Sequence, residues 1–343
     1  MNILFFVDPS ESHGIPLNAA RGMVGKLPKM VAGLKQAGCK VDLLSGQHAA
    51  SHMRAAASGV FDGIDRLFLL DGAAQDRMLS GPDGASALTA ATPDPASIDR
   101  ASAVLQAIGC TGPYDIVISP FTETAFLRAL FPGARVLFFE TGLVCHLPFQ
   151  QFHVFDPFGT YRQGAYFSRL AEEDIDPGVE DYAPVLDRLT GVLRAFSRRF
   201  VEEAGGRRRL RGRFSRVVLL PLQVTDNPSF RGSVAFPSQF ALLEHVLRRL
   251  PADLGLLVSE HPSYPQLTAL QHEYLTQTYP NYIYYPRLQS LWSPSGVLLP
   301  VVDAVIGVSS TVLLQAHALG LRTFALGTGA FAALNRTRIS TIS

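Results

Sequence analysis

Short apolar runs alternate with longer amphipathic stretches from one end of the chain to the other. The run Ile3 to Val7 within NILFFVD is uninterrupted, which predicts a strand buried on both faces. The polar segment PSESHGI follows it, then a helical stretch from about Asn18 to Gln36 that stops at Gly38, and then a second apolar run in CKVDLLSG. Together these predict a β-loop-α-β unit. Further strands are predicted in DRLFLLDG, YDIVISP and ARVLFFETG, separated by Ala-, Ser- and Leu-containing stretches compatible with helices. Strands alternating with helices imply a parallel sheet covered on both sides.

The pattern changes in the middle of the chain. PVLDRLTGVLRAFSRRFVEEAGG has helical apolar spacing, and RRRLRGRFSR carries six arginines across positions 207–216. A domain boundary is expected there, dividing the chain into 1–205 and 206–343. Beyond it the alternation restarts. A strand is predicted in VVLLPLQV, a helix over Ser238 to Leu250, a strand in LGLLVSEHP and a helix over Gln266 to Thr278. NYIYYP, VDAVIGVS and RTFALG then read as strands, with a helix from Thr311 to Leu319. The fold class expected is α/β with two Rossmann-like domains facing a cleft, the GT-B architecture. Other two-lobed α/β proteins, periplasmic binding proteins among them, share this coarse pattern.

Composition narrows the possibilities. At 343 residues the chain has room for about two domains. Its 47% apolar content excludes persistent disorder. Thirty Lys and Arg against 29 Asp and Glu leave a formal charge of +1, so no overall field attracts polyanions and a dedicated nucleic-acid binder is not expected. Cys39, Cys110 and Cys145 form no metal-ligand or disulfide pattern. Neither a membrane span nor a signal peptide is recognisable, and a cytoplasmic protein is expected. The arginine stretch reads as a solvated linker, or alternatively as a peripheral contact with anionic lipid at the inner membrane.

In open parallel sheets, reactive groups gather beyond the carboxyl ends of the strands. DPSESHG occupies such a place and offers His13 as a substrate-binding candidate; ETG offers Glu140, QVTDNP offers Gln223 and Asp226, and EHP offers His261. Ser309, Ser310 and Thr311 open a predicted helix, where free N–H groups and the helix dipole suit a phosphate or carboxylate. The simplest reading of that triplet alone is N-capping. Adding His261 shifts the balance toward a nucleotide site. Asp226 reads either as an Asx-turn residue or as a nucleophile toward a sugar carbon, with Gln223 and Thr225 near enough in sequence to orient it. Glu140 reads either as a solvent-facing strand end or as the base for an acceptor hydroxyl. No P-loop, HExxH helix or nucleophile elbow is present.

Taken in order, PLQVTDN, SEHPSYP and VIGVSSTVLLQAHALGLRTFALG resemble the capsular-polysaccharide biosynthesis family, particularly the retaining β-Kdo glycosyltransferases that use CMP-Kdo. The resemblance covers mainly residues 217–329, and Glu260 stands where that family usually has a basic residue before its His-Pro pair. It implies a retaining transfer of Kdo to a glycan or glycolipid acceptor by double displacement. Asp226 would be the nucleophile and Glu140 the acceptor base, with His261 and Ser309 to Thr311 holding the cytidine monophosphate or the Kdo carboxylate. Hydroxyl and N–H donors to the phosphate would take the place of a metal, and no cofactor is expected. Another GT-B glycosyltransferase or nucleotide-sugar epimerase using UDP or GDP, or a non-catalytic sugar-nucleotide-binding module, would carry the same pattern. The chain closes soon after RTFALGTGAF, where GT-B enzymes commonly add a helix returning to the first domain, which leaves open that it is one module of a longer polypeptide.

Overall fold

Eleven strands among the described residues divide into two sheets. The computed structural model describes residues 1–7, 23–79, 93–120, 125–141, 153–158, 179–203, 210–225, 230, 233–261, 264–290, 294–328 and 331–332. Met1–Glu140 with His153–Ala165 form one compact unit, and Thr141–Phe152 with Tyr166–Ser343 form the other.

The first unit contains β1 (Asn2–Phe6), α1 (Leu27–Gln36), β2 (Lys40–Gly46), α2 (Gln47–Ala56) and β3 (Arg66–Leu70). It continues with α3 (Gly72–Leu79), α4 (Pro95–Ala107), β4 (Ile116–Pro120), α5 (Ala125–Leu130), β5 (Arg135–Thr141) and β6 (His153–Asp156). Its sheet order is β3-β2-β1-β4-β5-β6, with β1 parallel to both β2 and β4. Alternate side chains of β1 enter opposite cores: Leu4 and Phe6 pack beneath α3, α4 and α5, whereas Ile3 and Phe5 pack beneath α1 and α2. This two-sided burial explains the unbroken apolar run. The short strand β6 and helix α2 are elements that the sequence pattern does not single out.

Helix α4 starts where Asp94 caps it, accepting from the N–H of Ala96 at 3.3 Å and of Ser97 at 3.2 Å, with Pro95 in the first turn. The β2–β3 register places Asp42 opposite Arg66, whose guanidinium approaches the carboxylate to 2.6 Å. The Tyr114 hydroxyl donates to the same carboxylate at 3.0 Å, and burial pushes both the Tyr114 phenol and the Cys110 thiol beside it upward. Cys39 and Cys110 are buried free thiols.

The second unit contains α6 (Val179–Glu203), β7 (Arg216–Pro221), α7 (Gln239–Leu247), β8 (Leu254–Ser259), α8 (Ala269–Thr278) and β9 (Tyr282–Tyr284). After these come α9 (Pro294–Leu298), β10 (Ala304–Gly307), α10 (Thr311–Ala318) and β11 (Arg322–Ala325). The order is β11-β10-β7-β8-β9, all pairs parallel. Val218, Leu220, Leu256 and Val258 face α7 and α8; Val217, Leu219, Leu257 and Val305 face α6, α9 and α10. Gly255 is required within β8, because a Cβ there would lie 2.7 Å from Ile283 Cδ1 and 2.8 Å from the Phe214 ring.

The unit boundary departs from the expected division at 205/206. Leu193 and Val201 of α6 belong to the second core, and Ser197 Oγ donates to the Val297 carbonyl at 2.5 Å. An amphipathic helix follows the core that buries its apolar stripe, irrespective of the arginine-rich segment after it. That segment is also not uniformly a solvated linker. Leu210 is buried, and Arg211 pairs with Asp303 at 2.6 Å; residues 204–209 lie outside the described ones.

Both units close the amino ends of their sheets in the same way. Asp65, Asp115 and Asp303 each immediately precede a strand and donate a backbone N–H to the neighbouring strand's carbonyl, of Val41, Asn2 and Val217 respectively. Each carboxylate then accepts the N–H of that same residue, at 2.7 Å in all three cases. A buried-sheet edge N–H that would otherwise lack a partner is thereby satisfied. Among the described residues no helix is long and apolar enough to cross a membrane.

Candidate active site

Strand order reverses direction between β7 and β10, and in open parallel sheets such a switch point, beyond the carboxyl ends of the strands, is where ligands gather. The chain continues from β7 through Leu222, Gln223, Val224 and Thr225, and from β10 through Val308 into Ser309 and Ser310. Leu222 extends the β7–β8 ladder by donating its N–H to the Ser259 carbonyl at 2.8 Å.

Gln223 bridges the switch point. Its Nε2 donates to Ser309 Oγ at 2.9 Å, and its Oε1 accepts the Ser309 N–H at 3.0 Å. A neutral amide thus satisfies both polar groups of a buried serine across 86 positions of sequence. The Gln223 N–H donates in turn to Oε1 of Gln239 at 3.2 Å. Gln239 is itself buried, and its Nε2 has no hydrogen-bond partner among the described residues.

Ser310 is the N-cap of α10, accepting the Val312 N–H at 3.3 Å, while its carbonyl accepts from Leu313. Thr311 is the first helical residue and is partly exposed. The first turn contains no acidic residue, so nothing in it offsets the positive end of the helix dipole. N-capping is thus realised here by Ser310, in a first turn that carries no acidic residue.

His261 leaves the carboxyl end of β8, partly exposed, and forms an isolated antiparallel bridge with Tyr264; their rings lie 5.8 Å apart. Glu260, the departure from the resembled pattern, is buried. It accepts the N–H groups of Gln266 at 2.6 Å and Leu267 at 3.1 Å, and its Oε1 lies 3.2 Å from His272 Nε2. A carboxylate holding two backbone donors organises the His261 loop from beneath, a task no cation could perform.

The structure places Gln223, His261, Ser309, Ser310 and Thr311, the candidates read from the sequence, at the carboxyl edge of one sheet. Gln223 turns its amide to Ser309. Thr225, read as a neighbour able to orient Asp226, donates its hydroxyl to Gln266 at 2.9 Å. Asp226 and His13 lie outside the described residues, and so does the Glu140 side chain, whose backbone belongs to β5 of the first unit. Gln239, Gln266 and the function of Glu260 escape sequence reading. Glutamines at a helix start and in a loop carry no motif, and only the capping serine at Ser238 marks the helix that presents Gln239.

Residues 186–338 match the family described as capsule polysaccharide biosynthesis protein. That stretch holds the whole of the described site. No curated protein matches the chain. Among solved structures it is similar to a KpsC β-Kdo 2,7 transferase of Thermosulfurimonas dismutans, at 14% identity over 84% of this chain and 79% of that one, with a TM-score of 0.46. It is similar to a UDP-GlcNAc 2-epimerase of Neisseria meningitidis at 14% identity, 95% and 82% coverage and a TM-score of 0.36. MurG of Acinetobacter baumannii gives 10% identity, 97% and 82% coverage and a TM-score of 0.39.

Proposed function

We propose that this protein is a retaining glycosyltransferase of bacterial surface polysaccharide synthesis that transfers Kdo from CMP-Kdo to a glycan or glycolipid acceptor. The observation that carries the reading is the Gln223 bridge across the β7–β10 switch point to Ser309. It holds the donor-rich start of α10 beside the β7 loop, within the stretch that matches the capsule family. In this reading the N–H groups of Ser310 and Thr311 and the hydroxyls of Ser309 to Thr311, with His261, receive the CMP phosphate. They stabilise the charge that grows on its bridging oxygen as the glycosidic bond breaks.

Asp226 supplies the first displacement. A carboxylate oxygen bonds to the anomeric carbon, and CMP departs with the electron pair. In the second displacement the acceptor hydroxyl oxygen replaces the carboxylate while Glu140 takes its proton. Two inversions give retention. The transfer needs no metal in this scheme, and the site stands on the cytoplasmic side.

Incubation with CMP-Kdo and intact-protein mass spectrometry tests the reading. Asp226→Asn is expected to lower transfer by at least about a thousandfold while CMP affinity stays within about threefold. A Kdo adduct is expected on the peptide containing Asp226, and transfer is expected to persist in EDTA. An adduct elsewhere, or tighter thermal stabilisation by UDP or GDP than by CMP, overturns the scheme.

A further inference from the structure

We propose that Gln266 is a positioning residue of this site: its side-chain amide ties Thr225, in the loop that leaves β7, to the Tyr264 carbonyl of the β8 loop. The inference rests on the functional reading above, because the proposed nucleophile is the next residue in the chain after Thr225.

One amide makes three hydrogen bonds here. Its Oε1 accepts the Thr225 N–H at 2.8 Å and the Thr225 hydroxyl at 2.9 Å, and its Nε2 donates to the Tyr264 carbonyl at 2.8 Å. Thr225 is held from the other side as well, since its Oγ1 accepts the Gln239 N–H at 3.4 Å. Tyr264 returns to His261 by donating its N–H to the His261 carbonyl at 3.2 Å. The amide of Gln266 therefore sets two loops against each other, one containing Thr225 and the other His261.

Gln266 is in turn fixed at its backbone. Its N–H donates to Glu260, and Glu260 is oriented by His272, whose Nδ1 lies 2.6 Å from the Tyr282 hydroxyl and whose ring stacks on Tyr284 at 3.7 Å. Burial, with the Glu260 charge adding to it, pushes the Tyr282 phenol up, so the phenol keeps its proton. The relay runs Tyr282, His272, Glu260, Gln266, Thr225, from the core of the unit to the edge of the site. A relay of this kind controls where the β7 loop leaves the sheet, and a displacement of about an ångström is enough to slow an in-line attack severely.

The test is a double-mutant cycle in the full chain with CMP-Kdo and acceptor. Gln266→Met and Thr225→Val are each expected to lower kcat about tenfold with the donor KM within about threefold. The double variant is expected to match Gln266→Met within about twofold, because the second change removes a group already released. Multiplicative losses, near a hundredfold together, would show that the two side chains act separately and overturn the proposal. Amide exchange gives an answer that does not depend on activity. Gln266→Met is expected to speed exchange at Thr225 by at least about tenfold while Leu219 and Leu220 in β7 stay protected. Gln266→Glu keeps an oxygen for Thr225 but loses the donor to the Tyr264 carbonyl, so it is expected to hold Thr225 exchange near the parental rate and to speed exchange at Tyr264 by at least about tenfold; unchanged Tyr264 exchange would refute the clamp if Gln266→Met does not fold. Unchanged Thr225 exchange in Gln266→Met refutes the clamp. A parent that transfers no Kdo refutes the functional reading instead.

Discussion

The two edges of the second sheet are held by different chemistry. At the amino edge Arg211 approaches Asp303 to 2.6 Å, and the carboxylate also takes the Val217 N–H, so full charges lock β7 against β10. At the carboxyl edge the same two strands continue into loops joined by the neutral amide of Gln223 and the hydroxyl and N–H of Ser309. The buried carboxylate at this edge, Glu260, faces backbone donors and His272. The charges of Arg211 and Asp303 at the amino edge are matched to each other within the fold. The carboxyl edge keeps the positive end of α10 without an acidic residue in its first turn, which is the condition an anionic ligand requires.

Exchanging the chemistry of the carboxyl edge has the largest expected effect. Gln223→Glu keeps acceptors for the Ser309 N–H and hydroxyl but places a negative charge at the helix start. CMP affinity is expected to fall at least about thirtyfold, equivalent to about 2 kcal/mol, while Tm changes little. Calorimetric titration beside a melting curve measures both, and an unchanged affinity would break the contrast between the edges.

The converse change at the amino edge is expected to reverse the pattern. Asp303→Asn weakens a partly buried charged contact and should cost about 1–3 kcal/mol of stability in urea unfolding, with CMP affinity within about twofold. A large affinity loss there would mean that the two edges are coupled through β7 and β10.

The smallest effect sharpens the comparison in the first unit, where Asp65 is the counterpart of Asp303. Hydrogen bonding from Lys35, then from the Val41 N–H, holds the Asp65 carboxyl below its ordinary 3.8. A depressed carboxylate contributes stability that is present above its unfolded pKa and disappears as pH falls through the lower folded value. Asp65→Asn should therefore lower stability slightly at neutral pH and lessen the loss of stability below about pH 4. Because Lys35 and Asp65 are solvent-accessible, the effect is expected to stay under about 1 kcal/mol. Parallel acid-unfolding curves for parent and variant would place the clamp's contribution elsewhere.

Most strands were legible because each is an apolar run flanked by turn residues, and burial on both faces demands such a run. The start of α10 was legible for a similarly local reason: Ser310 caps a helix and Thr311 begins it, whatever lies nearby. Helix α6 was read correctly as a helix yet assigned to the wrong side of a boundary. Its apolar stripe is visible in sequence, whereas the core that accepts Leu193 and Val201 is assembled from strands that follow it. Strand β6 is only four residues long, too short for a two-residue period to stand out.

The sequence by itself determined where the strands and their capped helices lie, and it placed serines, a threonine, a histidine and a glutamine at strand ends. These properties depend on neighbours a few residues apart. Tertiary structure decided the strand order that puts β7 beside β10, the pairing of Gln223 with Ser309, and the conversion of Glu260 from an apparent departure into the support of the His261 loop. Gln266 acquires its place only when Thr225, 41 residues earlier, is brought within 2.9 Å of it. Hydrogen bonds between loops depend on side chains that any surface loop can carry, and only the sheet's topology selects which of them meet.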